Sequence, residues 1–291
     1  MDAKEAKKQI LFAVPIILTN IFYNLIPTVS IMFTGHLGEL ELASSTLAQS
    51  WATVTGYSFM IGLSGALETL CGQGFGAKMY NMLGIYLQAS CIVSFIFSIA
   101  ISLLWWYTEP ILILLHQNPN IAKQSAIYMR FLIPGIFAYG ILQNILRFFQ
   151  TQSVVLPIVL FSLLPLLLHI AFTNLLVHHT SLGFQGAALA TSLTFWFSVL
   201  ILVVYVCFAK TFKRTWTGLS FTTFSYVFTN FNLALYSASM LCLEYWAFEI
   251  LVILAGIMPN SEETTSLIAM CVYTEAIAFM VTYGMSAAAR Y

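Results

Sequence analysis

The sequence predicts an all-α integral membrane protein of eight transmembrane helices: one complete six-helix lobe followed by the first two helices of a second. Three observations carry this. The 291-residue chain is 60% hydrophobic and 8% charged, a composition that water does not solvate as a globule. Its apolar residues fall into segments long enough to cross roughly 30 Å of hydrocarbon. Two stretches far apart in the chain also echo one another.

The spans are expected at 9–33, 43–70, 82–107, 122–149, 154–177, 184–209, 231–257 and 264–289. The first is too long for a signal peptide's apolar region and has no small-residue cleavage site behind it, so it is expected to remain as a helix. Short punctuators separate the spans: Gly35 to Gly38, Gly72 to Gly76 read as a tight turn, Asn118-Pro119-Asn120, His178 to Gly183, the longer polar stretch from Lys210 to Ser220, and Pro259 to Glu263. Pro15, Pro27, Pro134, Pro157 and Pro165 fall inside apparent spans, where each removes a helix hydrogen bond and permits a kink.

The echo pairs Phe59-Met60 and Gly62 with Phe279-Met280 and Gly284, the glycines standing 222 residues apart. Gly35 and Gly256, closing the first and seventh spans, stand 221 apart. Duplicated helix bundles produce such offsets. Read this way, residues 1–220 form an N-terminal six-helix lobe with its connecting loop, and 221–291 open a C-terminal lobe. A two-lobe chain needs on the order of 440 residues, so this one is expected to be a truncated form.

Charge gives an orientation. With the N-terminus cytoplasmic, nine of eleven basic residues collect inside, Lys78, Arg147, Lys210, Lys213 and Arg214 among them, leaving Lys123 and Arg130 outside. The eleven acidic residues balance the eleven basic ones, so no basic field attracts nucleic acid. No phosphate loop or zinc spacing appears, and His169, His178 and His179 lack ligand companions at a useful spacing, so neither metal nor cofactor is expected. The sole aspartate is Asp2, which leaves no facing acid pair for intramembrane catalysis; the chain is not read as an enzyme.

Five motifs carry a resemblance. They are Gly35-His36-Leu37-Gly38-Glu39-Leu40, the run from Gly65 through Glu68 and Gly72 to Lys78, Arg147 to Ser153, Glu244-Tyr245-Trp246-Ala247-Phe248-Glu249, and Gly284 to Ala289. Together, in this order, they resemble the multidrug and toxic compound extrusion family in its plant, detoxification-type form. The resemblance implies two six-helix lobes facing each other across a central cavity. It also implies a secondary antiporter, driven by a proton gradient, that exports small organic substrates such as cations or secondary metabolites across the plasma or vacuolar membrane. The competing expectation is a transport-inactive truncated isoform that inserts and is degraded, or that interferes with a full-length sibling.

Within that frame the intramembrane carboxylates stand out. A charge at the bilayer centre costs roughly 2.5–3.5 kcal/mol on insertion scales, so such a group defaults to a functional or paired role. Glu244 and Glu249 are separated by about 140° around a helix and cannot share one face. The resemblance favours Glu244 for the cavity, with Tyr245 and Trp246 flanking it as an aromatic wall suited to organic cations. Glu249 is open between a functional and a packed role. Glu275, Gln49, Asn24 and Asn20 are further polar positions that could face the cavity or bond neighbouring helices. Bacterial members of the family carry a coupling aspartate on the first span; the matching position here is Ser30, which moves the expected coupling role to the seventh span.

Overall fold

This computed structural model describes residues 3–255 together with 271, 275, 278–282 and 284–286. Helix α1 spans Ala3–Gly35, α2 Glu39–Ala52 and α3 Ser58–Gly76, with a π turn at Thr53–Tyr57 joining α2 to α3 as one rod. Then follow α4 (Tyr80–Trp106), the short α5 (Thr108–Leu114), α6 (Pro119–Thr151), α7 (Leu156–His178), α8 (Phe184–Phe208) and α9 (Thr223–Ala255). No strand occurs among the described residues. Five of these helices are long and apolar enough to cross a membrane: α1 from Gln9, α4, α6, α7 and α8.

The second expected span differs most. It runs longer at both ends, and the Gly72 to Gly76 stretch read as a turn is the last part of α3. In hydrocarbon an unmade backbone hydrogen bond costs more than a glycine's lost entropy, so the glycines stay helical. The turn comes afterwards, where Lys78 takes a left-handed φ of 59°. At the start of α6 the reading was closer: Asn118 caps the helix by accepting from the Asn120 amide at 2.9 Å, and Pro119 occupies the first turn. Helix α5 was not anticipated, being only 7 residues long. The eighth expected span lies largely outside the described residues.

Helix α6 is the axis of the packing, touching α2, α3, α4, α5 and α8. Its last turns bury Phe148 and Phe149 completely, and both rings meet Phe212 from the α8–α9 connection. Asn144 donates to Ser94 of α4 at 2.8 Å, and Ser192 of α8 donates to the Phe131 carbonyl at 2.7 Å. Hydrogen bonds of this kind hold helices together where lipid is as apolar as the side chains. Helix α9 packs along α3 and α4. The close approach to α3 depends on Gly62, where an added Cβ would sit 2.5 Å from the Ala238 Cα.

Candidate functional site

A cavity of about 120 Å³ opens where α1, the α2–π–α3 rod, α6, α8 and α9 converge. Helix α1 contributes Asn20, Tyr23, Asn24 and Pro27; the rod contributes Gln49, Thr53, Tyr57, Ser58 and Ile61. Tyr139, Gln143, Leu146, Arg147 and Gln150 enter from α6, Phe195 from α8, Leu241 and Tyr245 from α9, and Phe279 and Met280 from the far segment. One wall is aromatic. The Tyr57 ring lies 4.6 Å from Tyr139, which lies 5.1 Å from Phe195, and Trp105 backs Tyr57 edge-on at 5.9 Å. The other wall is amide and hydroxyl. The Tyr57 hydroxyl and the Asn20 amide nitrogen are buried with no hydrogen-bond partner among the described residues. Such groups are costly to leave unmatched, so both favour a bound polar guest.

The only ionic group among these lining residues is Arg147, and it does not stand alone. Its guanidinium contacts the Glu68 carboxylate at 3.0 Å, donates from Nη1 to Gln150 Oε1 at 3.3 Å and from Nε to Ser64 Oγ at 3.4 Å. Both partners of the ion pair are buried. The sequence reading had placed Arg147 among the inner-side charges and Glu68 within a motif, without joining them. Opposite charges inside two different apolar spans were the available signal, because buried charges survive by pairing.

The expected site residues are distributed as follows. Tyr245, Gln49 and Asn24 line the cavity. The Asn24 amide donates to the Asn20 carbonyl at 3.0 Å and to Met280 Sδ at 3.5 Å. Trp246 is exposed and its indole donates to the Val54 carbonyl, within the π turn, at 3.1 Å. Glu244 is exposed and stands outside the lining set. Around the helix axis it is about 60° from Leu241 and about 100° from Tyr245, on the flank of the stripe that faces the cavity. Glu249 belongs to α9, but its side chain is outside the described residues, and Glu275 is half-buried.

Behind the cavity wall lies a second polar cluster that sequence reasoning missed. Ser30, three residues after Pro27, contacts His169 Nε2 at 3.1 Å and Thr191 Oγ1 at 2.9 Å and donates to the Ala187 carbonyl at 3.2 Å. His169 Nδ1 meets Thr194 at 2.9 Å, beside the cavity residue Phe195. Ser30 thus ties α1 to α7 and α8 through hydroxyls and one imidazole, all buried.

The MatE family profile matches residues 15–175. Protein DETOXIFICATION 18 of Arabidopsis thaliana is 59% identical over 288 residues, and DETOXIFICATION 16 of the same plant 43% identical over 286. These alignments cover 99% and 98% of this chain but 61% and 59% of the relatives, so the chain spans about three fifths of their length. Among solved structures, the eukaryotic MATE transporter AtDTX14 superposes with a TM-score of 0.94 at 38% identity, covering 98% of this chain and 64% of that one. A MOP superfamily transporter from Pyrococcus furiosus gives 0.83 at 17% identity over 98% of this chain and 63% of its own, a likeness of fold alone. With the profile matching more than half of its residues, the chain belongs to the MatE family, that of the multidrug and toxic compound extrusion transporters.

Proposed function

We propose that residues 1–220 are the first lobe, and 221–291 the opening of the second, of a proton-coupled exporter of organic compounds. The observation that supports this best is the cavity itself. Its aromatic wall of Tyr57, Tyr139 and Phe195 offers faces for a planar guest, and its amides and hydroxyls, Asn20, Asn24, Gln49 and Gln143, offer directional hydrogen bonds. At about 120 Å³ the cavity has room for one ring or cationic group of a larger molecule, and the ring faces attract such a cationic group. Arg147 already has its counter-charge in Glu68, so the cavity presents little net field to repel a cation.

Glu244 is the proposed coupling group. It flanks Leu241 and Tyr245 on a helix that lines the cavity, and a carboxylate within a membrane span defaults to a functional or paired role. Alternating access then links the two events: protonation favours one arrangement of α9 against the first lobe and substrate the other, each ligand shifting the population by its differential affinity. The proposed orientation, N-terminus and 209–222 connection in the cytoplasm, rests on the bias of basic residues.

The test is efflux driven by a pH gradient in vesicles carrying a form with both lobes. Glu244→Gln keeps size and hydrogen bonding but removes titration, so it should abolish gradient-driven efflux of an organic cation while leaving abundance unchanged. Full efflux by that variant would remove the coupling role. Topology is checked separately: a cysteine near Lys213 should react only from the cytoplasmic side.

A further inference from the structure

A second cavity, of about 480 Å³, is distinct from the first. It lies at the end of the bundle where α4, α6 and α8 meet the 209–222 connection. Leu87, Ile141, Ile145 and Val203 form apolar walls, and Trp216 and Leu219 of the connection form the roof. Its size falls within the range of about 300–1,000 Å³ typical of small-molecule sites.

The roof is fixed rather than loosely draped. Gln88 of α4 donates to the Gly218 carbonyl at 2.9 Å, and its Oε1 accepts from the Ser220 amide at 3.0 Å and the Thr223 hydroxyl at 3.1 Å. Gly84, one turn earlier, has no Cβ to meet the Thr215 carbonyl, which would lie only 2.6 Å from it. Phe212 is fully buried against Phe148 and Phe149. On the same pinned connection, a few residues before Trp216, Lys210, Lys213 and Arg214 are exposed and make no ion pair among the described residues. Leu219 and Phe221 border the cavity mouth and are 89% and 92% exposed, apolar tips of the kind that enter the headgroup region.

An apolar chamber among membrane spans, roofed by a segment with three unpaired cations, selects its occupant by both ends. We propose that it binds an anionic glycerophospholipid, one acyl chain lying along Ile141, Ile145 and Val203 and the phosphate meeting Lys213 and Arg214, with Lys210 alongside. Hydrocarbon fills the walls without leaving a polar group unmatched, and basic residues beside a membrane surface attract anionic headgroups. A zwitterionic lipid offers the same chain but carries its own ammonium, which offsets part of that attraction. This site is independent of the transport reading, and its failure would leave that reading untouched.

Trp216 in the roof is the probe. The protein is reconstituted in phosphatidylcholine vesicles doped with either phosphatidylglycerol or phosphatidylcholine carrying brominated acyl chains, which quench a nearby indole. The Trp216 signal is the difference between the unmodified chain and Trp216→Phe. Brominated phosphatidylglycerol should quench it at about a 25-fold lower mole fraction than brominated phosphatidylcholine, about fivefold from each of Lys213 and Arg214. Lys213→Gln and Arg214→Gln, both at exposed positions, should each lower that preference by about fivefold. Cys207→Phe, at the exposed rim of the cavity, should suppress quenching by either lipid. Equal quenching by the two lipids, a preference that survives the double Lys213→Gln/Arg214→Gln change, or quenching that survives Cys207→Phe with fluorescence otherwise unaltered would each overturn the proposal.

Discussion

The core around α6 and the docked helix α9 are held by different physics. Around α6 the contacts are buried and several polar groups pair across helices: Arg147 with Glu68, the Asn144 amide nitrogen with Ser94, His169 with Ser30 and Thr194. Helix α9 relies on close backbone approach at Gly62 and on side chains such as Asn230, and it leaves Phe224, Phe228, Tyr236, Met240 and Leu243 exposed. Buried ion pairs are brittle, since removing one partner strands the other, whereas a small-residue seam admits sliding. The two regions are therefore sensitive to different changes: the α6 core to the loss of a polar partner, the α9 seam to added side-chain bulk.

That contrast can be broken at its strongest point first. Glu68→Ala leaves the Arg147 guanidinium buried without its carboxylate and should destabilise the detergent-solubilised protein by about 3–5 kcal/mol. Adding Arg147→Ala should restore a large part of the loss, because the stranded charge goes with it; thermal unfolding of both single variants and the double gives the answer, and additive losses would mean the pair is not coupled. Next, Gly62→Val pushes a side chain into the Ala238 backbone and should cost about 1–3 kcal/mol, felt at α9 rather than around α6. Faster proteolysis within 209–222, with unchanged protection of the α6 core, is the expected signature. Last, Trp246→Phe removes one hydrogen bond at an exposed position and should cost about 0.5–1.5 kcal/mol at most. Cross-linking between the π turn and α9 would report any loosening that unfolding does not.

Much of this was legible in the chain. Hydropathy over 20 or so residues marks a span because the bilayer has a thickness, and the five motifs marked the family. What stayed hidden was local or distant. The turn after α3 was set one step early because Gly72, Gly74 and Gly76 look like punctuation, although the membrane rewards keeping them helical. No proline in Thr53–Tyr57 announces a π turn, and the residues that bond to it come from α4 and α9, far off in sequence. The cavity's Tyr57, Tyr139 and Gln143 sit on helices far apart in sequence, where only the fold brings them to one wall. Arg147 enters the sequence reading only as one of the inner-side basic residues, because charge counting treats each residue alone, and the carboxylate that holds it is on another helix.

The π turn has a consequence in leverage. It is gripped by two indoles, Trp105 of α4 donating to Thr55 Oγ1 at 2.9 Å and Trp246 of α9 donating to the Val54 carbonyl at 3.1 Å. A rod with one widened turn bends there in preference to anywhere else along it. The 14 residues of α2 beyond that point make an arm about 21 Å long, so each ten degrees of bend carries the Glu39 end through about 4 Å. The Trp246 indole thus ties α9 to the pivot of that arm rather than to its far end.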